Sequence, residues 1–290
     1  MRDFVIMTDS CCDMTAQMAE ELELKVLPLS LLMGEDTYRN WLDGREIGFH
    51  AFYERIRAGA TATTSAISVG DFEEAMRPIL QEGRDILYLA FSSGLSTTCH
   101  SAVMAANELQ EKYPEQKIYV VDTLSASLGE GLLVWYACKK RDEGLSLEAL
   151  RDWVTEMRFH LCHWFTVDDL MYLKRGGRIS ATTAIVGTML GIKPVLHMDD
   201  EGHLISMSKA RGRKASIEAL AAKMGELGKD YDNSTVFICH GDCIDDARYL
   251  EKIVREKYGA KNVVIGYTGA VIGSHSGPGT LALFFLGKNR

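Results

Sequence analysis

Hydroxyl side chains gather where the hydrophobic period of the chain changes. Ser92, Ser93, Ser96 and Thr97 stand between an apolar run of strand length, Ile86 to Ala90, and a stretch to Asn107 in which Thr98, Ser101, Ala102, Ala105 and Ala106 recur at helical spacing. A strand turning into a helix leaves unpaired backbone N–H groups and the positive end of a dipole at the turn, and Gly94 permits close backbone approach. The junction can therefore hold an anion. The same residues also suit a plainer role, with Ser96 or Thr97 capping the helix and the other hydroxyls facing water. A second unusual segment is Gly269 to Thr280, GAVIGSHSGPGT, whose glycines and Pro278 preset a tight loop. His275, between two serines, could be carried against a ligand there as a neutral donor or a cation, or be solvated in an ordinary turn. Two basic groups complete the inventory: Lys174, Arg175 and Arg178 around a glycine pair, and Lys209, Arg211, Arg213 and Lys214. Their arginines suit carboxylate or phosphate, unless they form a solvated face.

Composition narrows what these residues can serve. A formal net charge of -8 argues against nucleic acid as the principal partner, since phosphate binding relies on a basic face. Seven cysteines, an odd number without a disulfide-like framework, suit a reducing compartment. Cys239, His240, Asp242 and Cys243 could be drawn as a metal site, as could His160, Cys162 and His163. Neither set has the paired spacing of structural zinc, and Cys239 ends an apolar run where cysteine acts as a small hydrophobe, so no metal or other cofactor is expected. The start, MRDFVIMTDS, reads as a first strand rather than a leader, and no apolar run is long enough to span a bilayer. These features point to the cytoplasm.

The elements that must position the hydroxyls read as an α/β chain. With 290 residues, two domains are the default. Val5 to Met7 is a strand, followed by the turn Thr8, Asp9, Ser10 and a helix from Thr15 to Leu22, the unit of a parallel sheet. Val26 to Trp41 reads as a β-rich excursion with a hairpin turn at Gly34, Glu35 and Asp36. Phe49 to Ile56 is helical, Ala58 to Ser68 a hydroxyl-rich loop, and Ser68 with Asp71 a capping box for a helix through Leu80. Lys117 to Val121 is a further strand, ending in Asp122, Thr123, Ser125 and Ser127 before a helix from Gly129. Strands thus run into polar turns at one edge of a parallel sheet, the edge where such sheets bind ligands, and Asp9, Ser10, Ser93, Ser96 and Asp122 are expected to converge there. The helix Leu147 to Met157 leads to a second layer: a strand at Trp164 to Val167, a helix at Asp168 to Leu173, and a hairpin of Lys193 to Met198 with His203 to Met207. Val236 to Cys239, the helix Asp245 to Tyr258, Val263 to Tyr267 and Leu281 to Phe285 complete it. The reading is an N-terminal α/β domain with a parallel sheet over residues 1–158 and a C-terminal α/β domain with a mixed sheet over 159–290.

Taken together these residues resemble the DegV family, the fatty-acid-binding subunits of the bacterial fatty acid kinase system. The likeness runs from Met7 to Ser10 through Thr64 and Ser65, Ser92 to Ser96, Asp122 to Ser127, Leu173 to Ile179 (LKRGGRI) and Lys193 to Leu196, to Gly273 to Thr280 (GSHSGPGT). LKRGGRIS and GSHSGPGT are specific in combination. The resemblance implies a two-domain DegV-like fold enclosing an acyl chain, with the carboxylate held by Thr64, Ser96 and His275, and Ser65 and Ser93 close by. It further implies that Arg175, Arg178 and Arg211 contact the kinase partner or the phosphate of an acyl-phosphate. Implied partners are a fatty acid, the kinase catalytic subunit and, transiently, a membrane surface. The chain departs from the family pattern at Ala66 and Ile67, where proline is common, and at Thr97, where glycine is usual.

Three functions compete at this point. The first is a binding protein that presents a long-chain fatty acid to a separate ATP-dependent kinase, since no P-loop pattern occurs in the chain itself. The second is a hydrolase of a lipid ester using a serine with His275, although no GxSxG elbow is present. The third is a carrier of a small polar, triose-like ligand.

Overall fold

A computed structural model describes residues 4–179 and 191–290, so Ser180, which ends LKRGGRIS, lies outside the described residues. The chain opens with β1 (Phe4–Asp9), a short 3-10 turn (Ser10–Cys12), α1 (Ala16–Glu21), β2 (Lys25–Leu27), β3 (Ser30–Met33), β4 (Asp36–Arg39), α2 (Phe49–Arg57) and β5 (Ala62–Ser65). Next come α3 (Val69–Gln81), β6 (Asp85–Ala90), α4 (Thr98–Lys112), β7 (Ile118–Asp122), α5 (Leu128–Asp142) and α6 (Leu147–Met157). The remainder is β8 (Leu161–Thr166), α7 (Met171–Arg175), β9 (Ile192–Met198), β10 (Leu204–Arg211), α8 (Arg213–Leu227), β11 (Thr235–His240), α9 (Ile244–Tyr258), β12 (Asn262–Tyr267), α10 (Ala270–Ser276) and β13 (Leu281–Leu286).

Strands β2-β1-β6-β7 form a four-stranded sheet whose pairings are all parallel. Central strands of such a sheet are covered on both faces, which is why β1 and β6 are buried at every position and show no alternation. A six-stranded mixed sheet, β10-β9-β8-β13-β11-β12, is antiparallel except for the β11–β12 pair. Helix α5 joins the two layers. Its residues Leu128, Leu132 and Leu133 share one core with Phe4 and Leu89 of the first sheet and with Phe237 and Phe284 of the second. Among the described residues no helix is long and apolar enough to cross a membrane.

The structure departs from the sequence-based expectations in four segments. The β-rich excursion begins at Ser30, because Lys25–Leu27 pairs with β1 in the main sheet. Residues 62–65, expected as loop, form a strand, since the threonine-rich segment pairs with β3 through Leu31↔Thr64 and completes a separate three-stranded sheet, β4-β3-β5. Residues 270–276, also expected as loop, are helical despite Gly273 in their middle. Gly273 is needed there because a Cβ would come within 2.5 Å of the Tyr53 hydroxyl, so close packing on α2 outweighs the low helix propensity of glycine. The helix expected at Asp168 to Leu173 is instead Met171–Arg175, with Asp169 accepting from the Met171 N–H at 2.8 Å where the chain enters it. The Ser68/Asp71 capping box forms as expected.

Candidate ligand-binding site

The polar turns that end β1, β6 and β7 do meet at one sheet edge, but their carboxylates hold the turns together. Asp9 is fully buried and accepts from the Tyr88 hydroxyl at 2.7 Å, Phe91 N–H at 3.0 Å and Cys11 N–H at 3.0 Å. Asp122 accepts from the N–H groups of Ser93 and Leu124, at 3.2 and 2.9 Å. The Ser10 hydroxyl accepts from Leu29 N–H at 3.0 Å. Of the five residues expected to converge on a ligand, Ser93 and Ser96 face a cavity, whereas Asp9, Ser10 and Asp122 are not among those lining it.

That cavity, of about 440 Å³, is lined by the turns that follow β6 and β7, by β5 and α10, and by strands of the mixed sheet. Most of its wall is apolar, from Leu29, Phe91, Leu95 and Val271 on one side to Phe165 and Phe284 of the mixed sheet. Its polar lining includes Thr64 and Ser65 from β5, Ser93, Ser96 and Thr97 from the turn after β6, His275 from α10, and Arg178, together with Ser127, His163, Thr268, Ser276 and Thr280. Thr64 Oγ1 and His275 Nε2 are 2.7 Å apart, although 211 positions separate them in the chain. The Ser96 hydroxyl accepts from Thr98 N–H at 3.2 Å and lies 2.9 Å from the Thr98 hydroxyl, so it is held against the first residue of α4 while Ser96 lines the cavity. Ala66 and Thr97, two of the departures from the family pattern, also line the wall.

His275 is neutral at physiological pH, because burial pushes its pKa down to about 4, reinforced by the positive charge of Arg178. Arg178 donates to the Leu95 carbonyl through Nε at 3.2 Å and Nη2 at 2.9 Å, and to the Gly176 carbonyl. It thereby ties the LKRGGR segment to the serine turn. Gly176 is placed so that any Cβ would run into His275 Nδ1, which explains the first glycine of the pair. Arg175 is exposed and stacks on the Tyr172 ring at 4.6 Å, while Arg211 is exposed on β10. The structure therefore separates the three arginines: Arg178 lines the cavity, and neither Arg175 nor Arg211 does.

The residues that might have held a metal are engaged separately. His240 Nδ1 accepts from Cys243 N–H at 3.2 Å, while Asp242 pairs with Arg57 and lies 3.0 Å from His50 Nδ1. His160 Nδ1 is 3.0 Å from the Tyr231 hydroxyl, Cys162 donates to Asn289 O at 3.1 Å, and His163 Nδ1 lies 3.0 Å from Leu161 O. Among the described residues His50, Glu54 and Asp242 alone lie close enough together to ligate one ion. Arg57 already supplies the cation at Asp242, so this cluster serves to fasten α2 to the loop after β11.

Sequence reasoning missed most of the apolar wall and the use of Arg178 to brace the serine turn. Both β8 and β13 are buried at every position, so no alternation marked Phe165 and Phe284 as the residues that face the cavity. Nothing local marks Arg178 apart from Arg175.

Residues 3–288 match the family model described as "Uncharacterised protein, DegV family". The chain belongs to the DegV family. It is 44% identical over 290 residues to a DegV domain-containing protein of Clostridium perfringens, covering 100% of this chain and 99% of the other. A DegV domain-containing protein of Streptococcus pyogenes is 37% identical over 286 residues, with 99% of both chains covered. Among solved structures, a DegV family protein from Thermus thermophilus, described by its fatty acid binding, superposes with a TM-score of 0.88 at 32% identity, covering 99% of this chain and 100% of the other. A Thermotoga maritima protein described as revealing fatty acid binding function superposes with a TM-score of 0.85 at 30% identity, over 99% and 100% of the two chains. The two-domain DegV fold, a parallel sheet followed by a mixed one, is thus the fold of this chain.

Proposed function

We propose that this DegV protein binds a long-chain fatty acid with its carboxylate at Thr64, Ser96 and His275, Ser65 and Ser93 lying alongside, and presents it to a separate ATP-dependent kinase that forms the acyl-phosphate. The observation that carries this reading is the meeting of hydroxyl and imidazole groups from three distant segments at the mouth of a mostly apolar cavity. Neutral donors and the nearby Arg178 suit a carboxylate. The hydrocarbon gains about 0.8 kcal/mol for each buried methylene, so the tail dominates affinity and the head group sets orientation. The fatty-acid-binding relatives favour the same ligand class.

The competing readings find less support. Among the described residues no serine hydroxyl is bonded to a histidine ring, and His275 faces Thr64 instead, which disfavours a serine hydrolase. A triose-sized polar ligand would leave Phe165, Phe284 and Leu173 facing water. In this reading the chain performs no chemistry of its own, and phosphoryl transfer belongs to the partner.

The test is mass spectrometry of ligand extracted from purified protein, followed by acyl-phosphate formation with the kinase supplied. A long-chain fatty acid should be recovered, and Thr64→Ala, Ser96→Ala and His275→Ala should each slow product formation. Wild-type rates in all three variants would remove those residues from the site. Ester turnover by protein holding no acid would reject the function itself.

A further inference from the structure

Helix α10 carries His275, yet its seven residues are too few to keep a helix in place by themselves. Its N-cap is Gly269, which brings no capping side chain, so the start of the helix must be held from elsewhere. Two buried residues do this. Asn40, just after β4, is 4% exposed, and its Oδ1 accepts at 3.1 Å from the N–H of Ala270, the first residue of the helix. Its Nδ2 donates to the Ser10 hydroxyl at 3.2 Å, which fixes the orientation of the amide. Tyr53 of α2 is fully buried, and its hydroxyl donates to Thr268 O at 2.7 Å, just ahead of the helix. A Cβ on Gly273 would come within 2.5 Å of the same hydroxyl, so Tyr53 also packs against the middle of α10. Neither Asn40 nor Tyr53 lines the cavity.

The imidazole at the far end of the helix has little room for error. Its Nε2 lies 2.7 Å from Thr64 Oγ1, while a Cβ on Gly176 would come within 2.3 Å of Nδ1, so the ring is wedged between β5 and the end of α7. Binding groups work when neighbours hold them to within about 0.5 Å, and a helix displaced at its start carries its last turn with it. We propose that Asn40 and Tyr53 are positioning residues for the head group: by holding the start and flank of α10 they set where the imidazole meets the carboxylate, without touching the ligand themselves. This rests on the fatty-acid reading above and deepens it. It also gives a purpose to the excursion that opens with β3. Strand β5 brings Thr64 to the site, and the loop after β4 and helix α2 bring the two residues that place its partner.

The experiment uses delipidated full-length protein, displacement of a fluorescent acyl probe by octadecanoic acid, and NMR titration of the His275 ring without ligand. Tyr53→Phe removes only the hydroxyl and Asn40→Ala removes the amide, with melting temperatures recorded to confirm folding. Each change should weaken octadecanoic acid about tenfold, the scale of one lost hydrogen bond. Water admitted beside a loosened ring should also raise its pKa from about 4 toward the ordinary histidine value. In a His275→Ala background the same two changes should have no further effect on affinity, because the residue they act through is gone. Wild-type affinity in Tyr53→Phe would overturn the proposal, as would losses that persist in full when His275 is absent. Failure of the wild-type protein to bind any acid would overturn the fatty-acid reading itself, a distinct result.

Discussion

The behaviour of His275 depends on two neighbours that sequence distance conceals. Its type and its glycine-rich setting were legible in the chain, but its neutrality was not, because burial and Arg178 hold the imidazole near pKa 4. A carboxylate arriving beside it favours the protonated form, so ligand binding should raise this pKa. Titration of the ring by NMR, with and without fatty acid, should show the upward shift, and an unchanged midpoint would place the head group elsewhere. Asp13 makes a second case. Burial pushes its carboxyl up to about 8, with the Ser127 hydroxyl partly opposing. In the unfolded chain the group ionises near pH 4. Between about pH 4 and 8 the folded state therefore keeps a proton that the unfolded state has lost, and its contribution to stability declines as pH rises through that window and levels off above it. Asp13→Asn still accepts from Ser127 through its amide oxygen. Denaturant melts at pH 5 and pH 8 should show wild type losing more stability between the two than the variant, and equal losses would mean that Asp13 is already ionised.

Elements with a clear period or a local cap were readable in the sequence, while those stabilised from a distance were not. The Ser68 capping box and the strand–turn–helix around Ser92 declare themselves within a few residues. Strand β5 and helix α10 do not, since one gains its backbone bonds from β3 and the other is fitted to Tyr53 and Asn40. These are also the elements that carry Thr64 and His275, so the site was visible as residue types before its geometry could be. Two substitutions separate the roles. Gly176→Ala drives a methyl into the His275 ring, and fatty acid affinity should fall at least tenfold. Ser68→Ala removes a cap outside the cavity and should cost about 1 kcal/mol of stability with affinity unchanged. Calorimetric titration and thermal melting of both variants would test the pair, and full affinity in Gly176→Ala would show that the imidazole can move without loss.

At the scale of the molecule, the cavity wall draws on the mixed sheet and on turns at the edge of the parallel sheet, and the same interface holds the two layers together. Ser92 donates to Gly202 O at 2.9 Å from the turn between β9 and β10, Tyr53 donates to Thr268 O at 2.7 Å, and α5 shares its core with strands of either sheet. A ligand seated there touches both layers, so its binding free energy should stabilise them as one unit. For a ligand that binds only the folded state, free concentration at a hundred times Kd adds about 2.7 kcal/mol. In a chain of this size that raises the melting temperature by roughly 5 to 10 °C, at about 2 to 4 °C for each kcal/mol. Calorimetry of delipidated protein should therefore show one transition that moves upward intact when fatty acid is restored. If two transitions appear and the acid shifts only one, the ligand is held by a single layer, and the shared cavity is not where it binds.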